Sequence, residues 1–462
     1  MPIRPFNRGQ RGLFPDDIRL YLGANHLSIV VCELVEHFDT RAFYERVSDE
    51  GPPRYDPDMM LALLTYSYCE RIYSSRDIAK RLKTDFALVY ITGKQQPDFR
   101  TINRFRKDNI DLFAKFFKET VRYCGELGMA TLEHIAIDGT KIQANASNAA
   151  TYTDERTEKE IEEILKKASE IDDMEDEKYG EDNDGSGIPD DIQERLTKLD
   201  EIKHKLEKEQ EAQGGGKKVK VNATDSDAKF MKMYGIGTHI GYNAQAAVDG
   251  YYQIIVAADV VNAQIDDKQL IPMVLGTAHN TGRFPERLTA DGGYGTARNY
   301  SFLDFFKIDG YVKLKGYKKR KGKFHSYKFH YDDDRDVYIC PADKELIYHR
   351  EYEENGGLIK VYRCKDCLEC EDFGKCTTNK KGRTIHIDEF RDYRIAMEEK
   401  LDTAEGKRFY KKRAPTVESV FGDIKWNGKF KRFSLRGLDN VKGEFDLLAA
   451  AHNIKKIQKY LV

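Results

Sequence analysis

Residues 135–147 read "IAIDGTKIQANAS". Ile135, Ala136 and Ile137 have strand character and run straight into Asp138 and Gly139. A carboxylate at the end of an apolar strand is costly to bury unless something pairs with it. The same arrangement recurs in "PERLTADGGYG", residues 285–295, where Leu288, Thr289 and Ala290 lead into Asp291 and two glycines follow. Two buried strand ends therefore carry two acids.

Between them the hydrophobic period is that of strands. "THIGYNAQAAVDG" (238–250) and "YYQIIVAADVV" (251–261) predict a hairpin turning at Asp249 and Gly250. "DDKQLIPMVLGTAHNTG" predicts a helix, a second helix follows Asp291, and "YVKLK" (311–315) predicts one more strand. This order gives an α/β fold built on a mixed sheet flanked by helices.

Two carboxylates brought together at strand ends repel each other unless a cation sits between them. Hard oxygen donors with few histidines nearby favour Mg²⁺ or Mn²⁺ over Zn²⁺. Two such ions stabilise both the attacking and the leaving oxygen in phosphodiester cleavage, and a third acid usually completes the set. The candidate is Glu418 in "FYKKRAPTVESVFGDIK" (409–425), a predicted helix. Lys425 follows Glu418 by seven residues, two turns along one face, and Tyr410, Lys411, Lys412 and Arg413 precede it. A carboxylate with cations on the same face suits a polyanionic substrate.

These motifs resemble those of DDE transposases of bacterial insertion sequences, which have an RNase H-like catalytic domain. The resemblance rests on "IAIDGTKIQANAS", "TADGGYGT" and "YKKRAPTVESVFGDIK", supported by "GYNAQAAVD". The family's third motif is Tyr, two residues, Arg, three residues, Glu, six residues, Lys. Tyr410, Arg413, Glu418 and Lys425 match it, except that four residues separate Arg413 from Glu418. That departure leaves the equivalence of Arg413 open and does not touch Glu418. The resemblance implies that Asp138, Asp291 and Glu418 bind two Mg²⁺ or Mn²⁺ ions. It also implies that Tyr410, Arg413 and Lys425 contact DNA, and that water and then a freed 3′-hydroxyl attack phosphodiester bonds at the element's terminal inverted repeats and at the target. The same triad would serve a metal-dependent endonuclease without strand transfer. A different class is a catalytically idle DNA-binding protein, against which the intact triad argues.

The first 130 residues read as helical. Asp56 caps "PDMMLALLTYSYC", Ser75 caps the next helix, and a third starts at Pro97. The cluster suits either a helix-turn-helix, with Arg100, Arg104 and Arg106 free for DNA, or a dimerisation domain. Residues 151–216 read as a charged insertion. Ile192, Leu196, Leu199, Ile202 and Leu206 fall at helical spacing, and the acidic "DDMEDEKYGEDNDGSG" (172–187) forms the disordered tip of a helical hairpin. The hairpin serves either as a coiled coil for a protein partner or as a surface arm.

In "YVKLKGYKKRKGKFHSYKF" (311–329), basic residues, Lys318, Lys319 and Arg320 among them, are interleaved with Tyr and Phe, a mixture that suits a nucleic-acid strand or a solvated loop. Five cysteines follow: Cys340, Cys364, Cys367, Cys370 and Cys376. In an intracellular chain this spacing suits a structural Zn²⁺, with five thiols for four places, or reduced thiols without metal. Trp426, the only tryptophan, is expected in the core rather than stacked on a displaced base.

The expected domains are 1–130 (helical, for DNA binding or dimerisation), 131–150 with 217–315 (catalytic core, first part), 151–216 (helical insertion), 316–395 (basic, Cys-rich insertion) and 396–462 (catalytic core, C-terminal helices). The net charge of −2 conceals acids crowded between Thr153 and Glu211 and bases elsewhere, so it says little about partners. No window approaches the roughly 18 apolar residues of a membrane span. The expectation is a cytoplasmic bacterial protein, nucleoid-associated on double-stranded DNA, acting as a homodimer or higher oligomer because two element ends must meet one target.

Overall fold

The computed structural model describes residues 17–47, 54–179, 190–212, 219–314, 322–354 and 357–461. Thirteen strands occur among them: β1 (Ile135–Gln143), β2 (Thr151–Tyr152), β3 (Val221–Asn222), β4 (Lys229–Met233), β5 (Gly237–Asp249), β6 (Ile255–Val261), β7 (Arg287–Ala290), β8 (Asp309–Val312), β9 (His330–Asp332), β10 (Val337–Ile339), β11 (Glu345–Glu354), β12 (Gly357–Cys364) and β13 (Thr384–Asp388).

The main sheet runs β4-β5-β1-β7-β8, and β6 also pairs with β5. β5 is antiparallel to β1, β4 and β6, whereas β7 and β8 run parallel to β1. β1 opens on Ile135, Ala136 and Ile137, which are wholly buried, as a strand covered on both faces requires. The helix Leu270–Thr281 connects β6 to β7 and ends on Gly282 in the left-handed conformation, and Ala297–Phe305 connects β7 to β8. The expected element order therefore holds, with two differences. The last strand of the series starts two residues earlier than "YVKLK", at Asp309, because Gly310 and Tyr311 pair with Leu288 and Thr289. A further edge strand, β4, was not expected, since "KFMKM" alternates basic with apolar residues and pairs only with the exposed start of β5.

The N-terminal helices and the sheet share one continuous core, from Val30 and Leu61 through Phe113 and Ile137 to Phe445 and Ile457. The helix Leu438–Leu461 packs against β6 and against the helices Pro57–Cys69 and Phe113–Glu126. Buried Asn453 fastens it to the sheet, accepting from the Ile255 amide at 2.9 Å and donating to the Ile255 carbonyl at 2.9 Å. Asp56 caps its helix as expected, accepting from the Met59 amide. The next cap is Ser74 rather than Ser75, and the helix expected from Pro97 starts at Phe99 under an Asp98 cap. In both cases the residue whose oxygen reaches the orphan amide sits one step outside the first helical turn.

The insertion is a helical pair, Asp154–Tyr179 and Asp190–Ala212, with its own core of Ile164, Leu199, Ile202, Leu206, Val219 and Val221. Its first helix runs on through residues 172–179, so the acidic stretch starts as helix rather than as a disordered tip; residues 180–187 lie outside the described residues. β9–β13 form a separate antiparallel sheet, in the order β13-β12-β11-β10-β9, around Tyr338, Leu346, Tyr362 and Cys364. No helix among the described residues is long and apolar enough to cross a membrane.

Candidate active site

Ile137 on β1 faces Ala290 on the parallel strand β7, so Asp138 and Asp291 are the next residues along two neighbouring stretches. Asp291 follows the end of β7 as expected, but β1 runs on through Asp138 to Gln143 because β5 pairs with it along its whole length, so Asp138 lies within its strand rather than at its end. Parallel neighbours in register present their side chains to the same face. Asp138 is mostly buried, its side chain 18% exposed, and accepts from the Gly139 amide at 2.9 Å. Burial pushes its carboxyl up to about 6, the charge of Asp291 adds to this, and the Arg413 guanidinium opposes it. Asp291 accepts from the Gly293 amide at 2.7 Å.

Arg413 joins the third acid to this pair. It donates to Asp138 Oδ2 at 3.0 Å and to Glu418 Oε1 at 2.6 Å. Burial works against its charge, but Asp138, Tyr410, Glu418 and Asp291 together outweigh that and hold its pKa above the usual arginine value. The segment between Arg413 and Glu418 is not α-helical: Ala414–Glu418 is a π turn, followed by the α turn Ser419–Gly422 and a second π turn, Asp423–Asn427. A π turn closes i→i+5 rather than i→i+4. It thus absorbs the fourth residue between Arg413 and Glu418, and the arginine still reaches both acids.

Lys425 is fastened to β1, donating to Thr140 Oγ1 at 3.1 Å and to the Lys141 carbonyl at 2.9 Å. Burial lowers its pKa and nearby Lys431 adds to this. Tyr410 is half-buried, with the Lys313 ammonium 4.2 Å from its ring centroid. Asp138, Glu418 and Lys425 line one cleft of about 830 Å³ together with Tyr234, Ile236 and Trp426. Trp426 is 61% exposed, with Lys431 5.0 Å from its ring centroid, so the expected core position is wrong. The second π turn carries it outward onto the cleft wall.

Among the described residues no three His, Cys, Asp or Glu side chains form a group that could hold a metal ion. Among the three acids, Glu418 is paired with Arg413. Asp138 and Asp291 by themselves fit a hard divalent cation: they are oxygen donors on one face whose mutual repulsion a cation relieves, and Mg²⁺ is commonly held by one or two carboxylates plus substrate phosphates. Cys340, Cys367, Cys370 and Cys376 line one cavity of about 20 Å³, whereas Cys364 lies in the core of the small sheet.

Other expected DNA contacts fall elsewhere. Arg100 and Arg104 are exposed on the helix Phe99–Asp108, and Arg104 lines a cavity of about 300 Å³ with Arg46, Arg54 and Tyr55. Arg106, on the same helix, is buried and bonded to Tyr68 and Asn103, so it is not free for DNA. Lys318, Lys319 and Arg320 lie outside the described residues.

Sequence reasoning missed Asp266. It accepts from Asn243 Nδ2 at 2.7 Å, Gln245 Nε2 at 2.8 Å and Lys141 Nζ at 3.3 Å. A Cβ on Gly139 would stand 2.3 Å from Gln245 Nε2 and 2.9 Å from Asp266 Oδ1. One on Gly293 would stand 2.9 Å from Asp291 Oδ1 and 3.5 Å from Asp266 Oδ2. Asp266 thus lies beside Gly139 and Gly293, the glycines just after Asp138 and Asp291. "NAQ" (243–245) was the available signal, since two amides buried in mid-strand require polar partners.

Two family models match the chain. The Transposase domain (DUF772) model matches residues 18–108, and the Transposase DDE domain model matches residues 339–458. The second span contains Tyr410, Arg413, Glu418 and Lys425, while Asp138 and Asp291 lie outside both. No curated protein matches the chain. Transposase models thus match both the N-terminal helices and the segment that carries Glu418, in line with the resemblance to DDE transposases of insertion sequences that the sequence motifs carry.

Proposed function

We propose that the cleft is the catalytic site of a metal-dependent DNA transposase, with Asp138, Asp291 and Glu418 as its three acids. The observation that carries this reading is the convergence of three distant segments: the neighbouring parallel strands β1 and β7 hold Asp138 and Asp291 side by side, and Arg413 ties Asp138 to Glu418. A sheet of three antiparallel strands (β6, β5, β1) extended by two parallel ones (β7, β8) supports an RNase H-like core. On this reading, residues 131–150, 217–315 and 396–462 make up that core, residues 1–130 contribute DNA binding or dimerisation, and 151–216 and 316–395 are insertions.

Divalent cations held by the acids would supply Lewis-acid activation of the phosphodiester and of the attacking oxygen. The chain's own residues do the rest. Asp138 and Asp291 bind and orient from the rigid sheet. Glu418 can leave Arg413 for the cleft because its side chain is 53% exposed, and Arg413, so released, pairs with a phosphate oxygen. Lys425 and Lys431 line the cleft on the side of the strand's phosphates, and Trp426 and Tyr234 offer exposed rings to its bases. Joining two ends at one target requires at least a dimer.

The test is cleavage of labelled duplex DNA carrying the element's own ends, in Mg²⁺ or Mn²⁺. Metal-dependent nicking at the ends, reduced on the order of a hundredfold or more in Asp138→Ala, is expected. Joined products are expected alongside, and nicks without joining would reduce the activity to that of a nuclease. Binding without metal-dependent cutting in either protein would overturn the catalytic reading.

A further inference from the structure

Lys141 stands on β1, three residues beyond Asp138, and its side chain is 18% exposed. Three residues along a strand the side chain turns to the other face, yet Asp266, its partner, stands beside Gly293 and the Asp291 carboxylate, and both Asp138 and Asp291 act on the Lys141 ammonium. The ion pair it forms is instead with Asp266, at 3.3 Å. Asp266 is not a casual surface partner. Its Oδ1 also accepts from Asn243 at 2.7 Å and Gln245 at 2.8 Å, two amides on β5 that are wholly buried. Those amides are fixed in turn. Asn243 Nδ2 also donates to the Ala263 carbonyl at 3.1 Å, Gln245 Nε2 also donates to Asn243 Oδ1 at 3.0 Å, and the hydroxyl of buried Tyr294 donates to Gln245 Oε1. One carboxylate oxygen thus receives three donors, and a buried network with its polar atoms satisfied holds one geometry.

We propose that Asp266 is a positioning residue that holds the Lys141 ammonium away from Asp138 and Asp291 and so keeps that pair open to a divalent cation. The inference rests on the reading of Asp138 and Asp291 as cation-binding acids. Without Asp266, the acids that still act on the Lys141 ammonium are those two carboxylates, and the ammonium competes there with the metal. With it, the pair keeps the negative charge that attracts a cation, and Lys141 remains neutralised in place.

The experiment is titration of the full chain with Mn²⁺ by calorimetry in the absence of DNA, so that no cleavage step enters. Asp138→Ala serves as the reference for binding at the Asp138–Asp291 pair. Asp266→Asn, which keeps the size of the side chain but not its charge, is expected to weaken Asp138-dependent binding about tenfold, the worth of one pKa unit of charge coupling. The double variant Lys141→Met with Asp266→Asn is expected to regain wild-type affinity, because the competing ammonium is gone. A merely architectural Asp266 predicts no such rescue, and a double variant as weak as Asp266→Asn overturns the proposal. Should Asp266→Asn fail to fold, Lys141→Met alone decides: binding at least as tight as wild type is expected, and weaker binding overturns the proposal. If Asp138→Ala binds Mn²⁺ as wild type does, the reading of the Asp138–Asp291 pair as a cation site itself fails, and the proposal falls with it. If Asp138 matters and Asp266 does not, the proposal alone fails.

Discussion

Asp138 is held in a position that costs stability. Burial is the main reason its carboxyl is pushed up to about 6, with Asp291 adding and Arg413 opposing. Because the folded pKa exceeds the unfolded value near 3.9, the folded chain binds this proton more tightly. The favourable contribution is therefore complete below about pH 4 and is lost as pH rises through about 6. Asp138→Asn, which keeps the shape without the charge, should be more stable than wild type by about 2–3 kcal/mol at about pH 7.5, and no more stable at about pH 4. Thermal melts across that range check this, and a variant less stable at the higher pH would mean that the Arg413 pair outweighs burial. Such a trade of stability for function is common at active sites. The residue scale also marks what sequence could not supply. Asp138 and Asp291 stood out because apolar strands ran into them, whereas Asp266 sits in a loop beside Asp267 with no pattern around it, and only the fold brings it to Gly139 and Gly293.

At the scale of elements, the main sheet was legible because its buried strands β1, β5, β6 and β7 are apolar runs or alternate, and β5 and β7 end in Asp-Gly turns. β4 escaped because an edge strand with basic residues resembles a loop, a common way of blunting an edge. The segment bearing Glu418 was read as a plain helix. Its fourth intervening residue signalled an irregularity without saying which, and the π turns Ala414–Glu418 and Asp423–Asn427 are the answer. They shift the helix phase twice, so Glu418, Lys425 and Trp426 all reach one cleft. An exposed ring at the end of that element has no packing role to lose. Trp426→Ala should change stability by no more than about 0.5 kcal/mol. It should weaken binding of DNA carrying unpaired bases at the element end about tenfold, within the roughly 1–3 kcal/mol of one base–aromatic stack. Fluorescence anisotropy alongside melts separates the two effects, and a large loss of stability with unchanged binding would return the ring to a structural role.

The whole molecule is tied together by a polar cluster buried between its N- and C-terminal helices. Arg106 donates to Tyr68 Oη at 3.0 Å, and Tyr68 donates to Glu444 Oε1 at 3.1 Å. Glu444, wholly buried on the helix Leu438–Leu461, also accepts from the amides of Ser434 at 2.9 Å and Leu435 at 3.1 Å. That cluster lies within the continuous core that runs from Val30 to Ile457, so the matched N-terminal segment and the main sheet are not independent in packing. Removing Arg106 leaves the Glu444 charge without its cation in a water-poor interior, a class of change that costs about 3–5 kcal/mol. Arg106→Met should lower stability by that amount and should lower the melting of the N-terminal helices and of the sheet together. Calorimetry of the full chain, with amide exchange followed in the helix Pro57–Cys69 and in β1, reads both. If the helix gave way in the variant while β1 kept its wild-type protection, the N-terminal region would be a separate folding unit, and the cluster would be a local brace rather than the link between the N-terminal helices and the sheet.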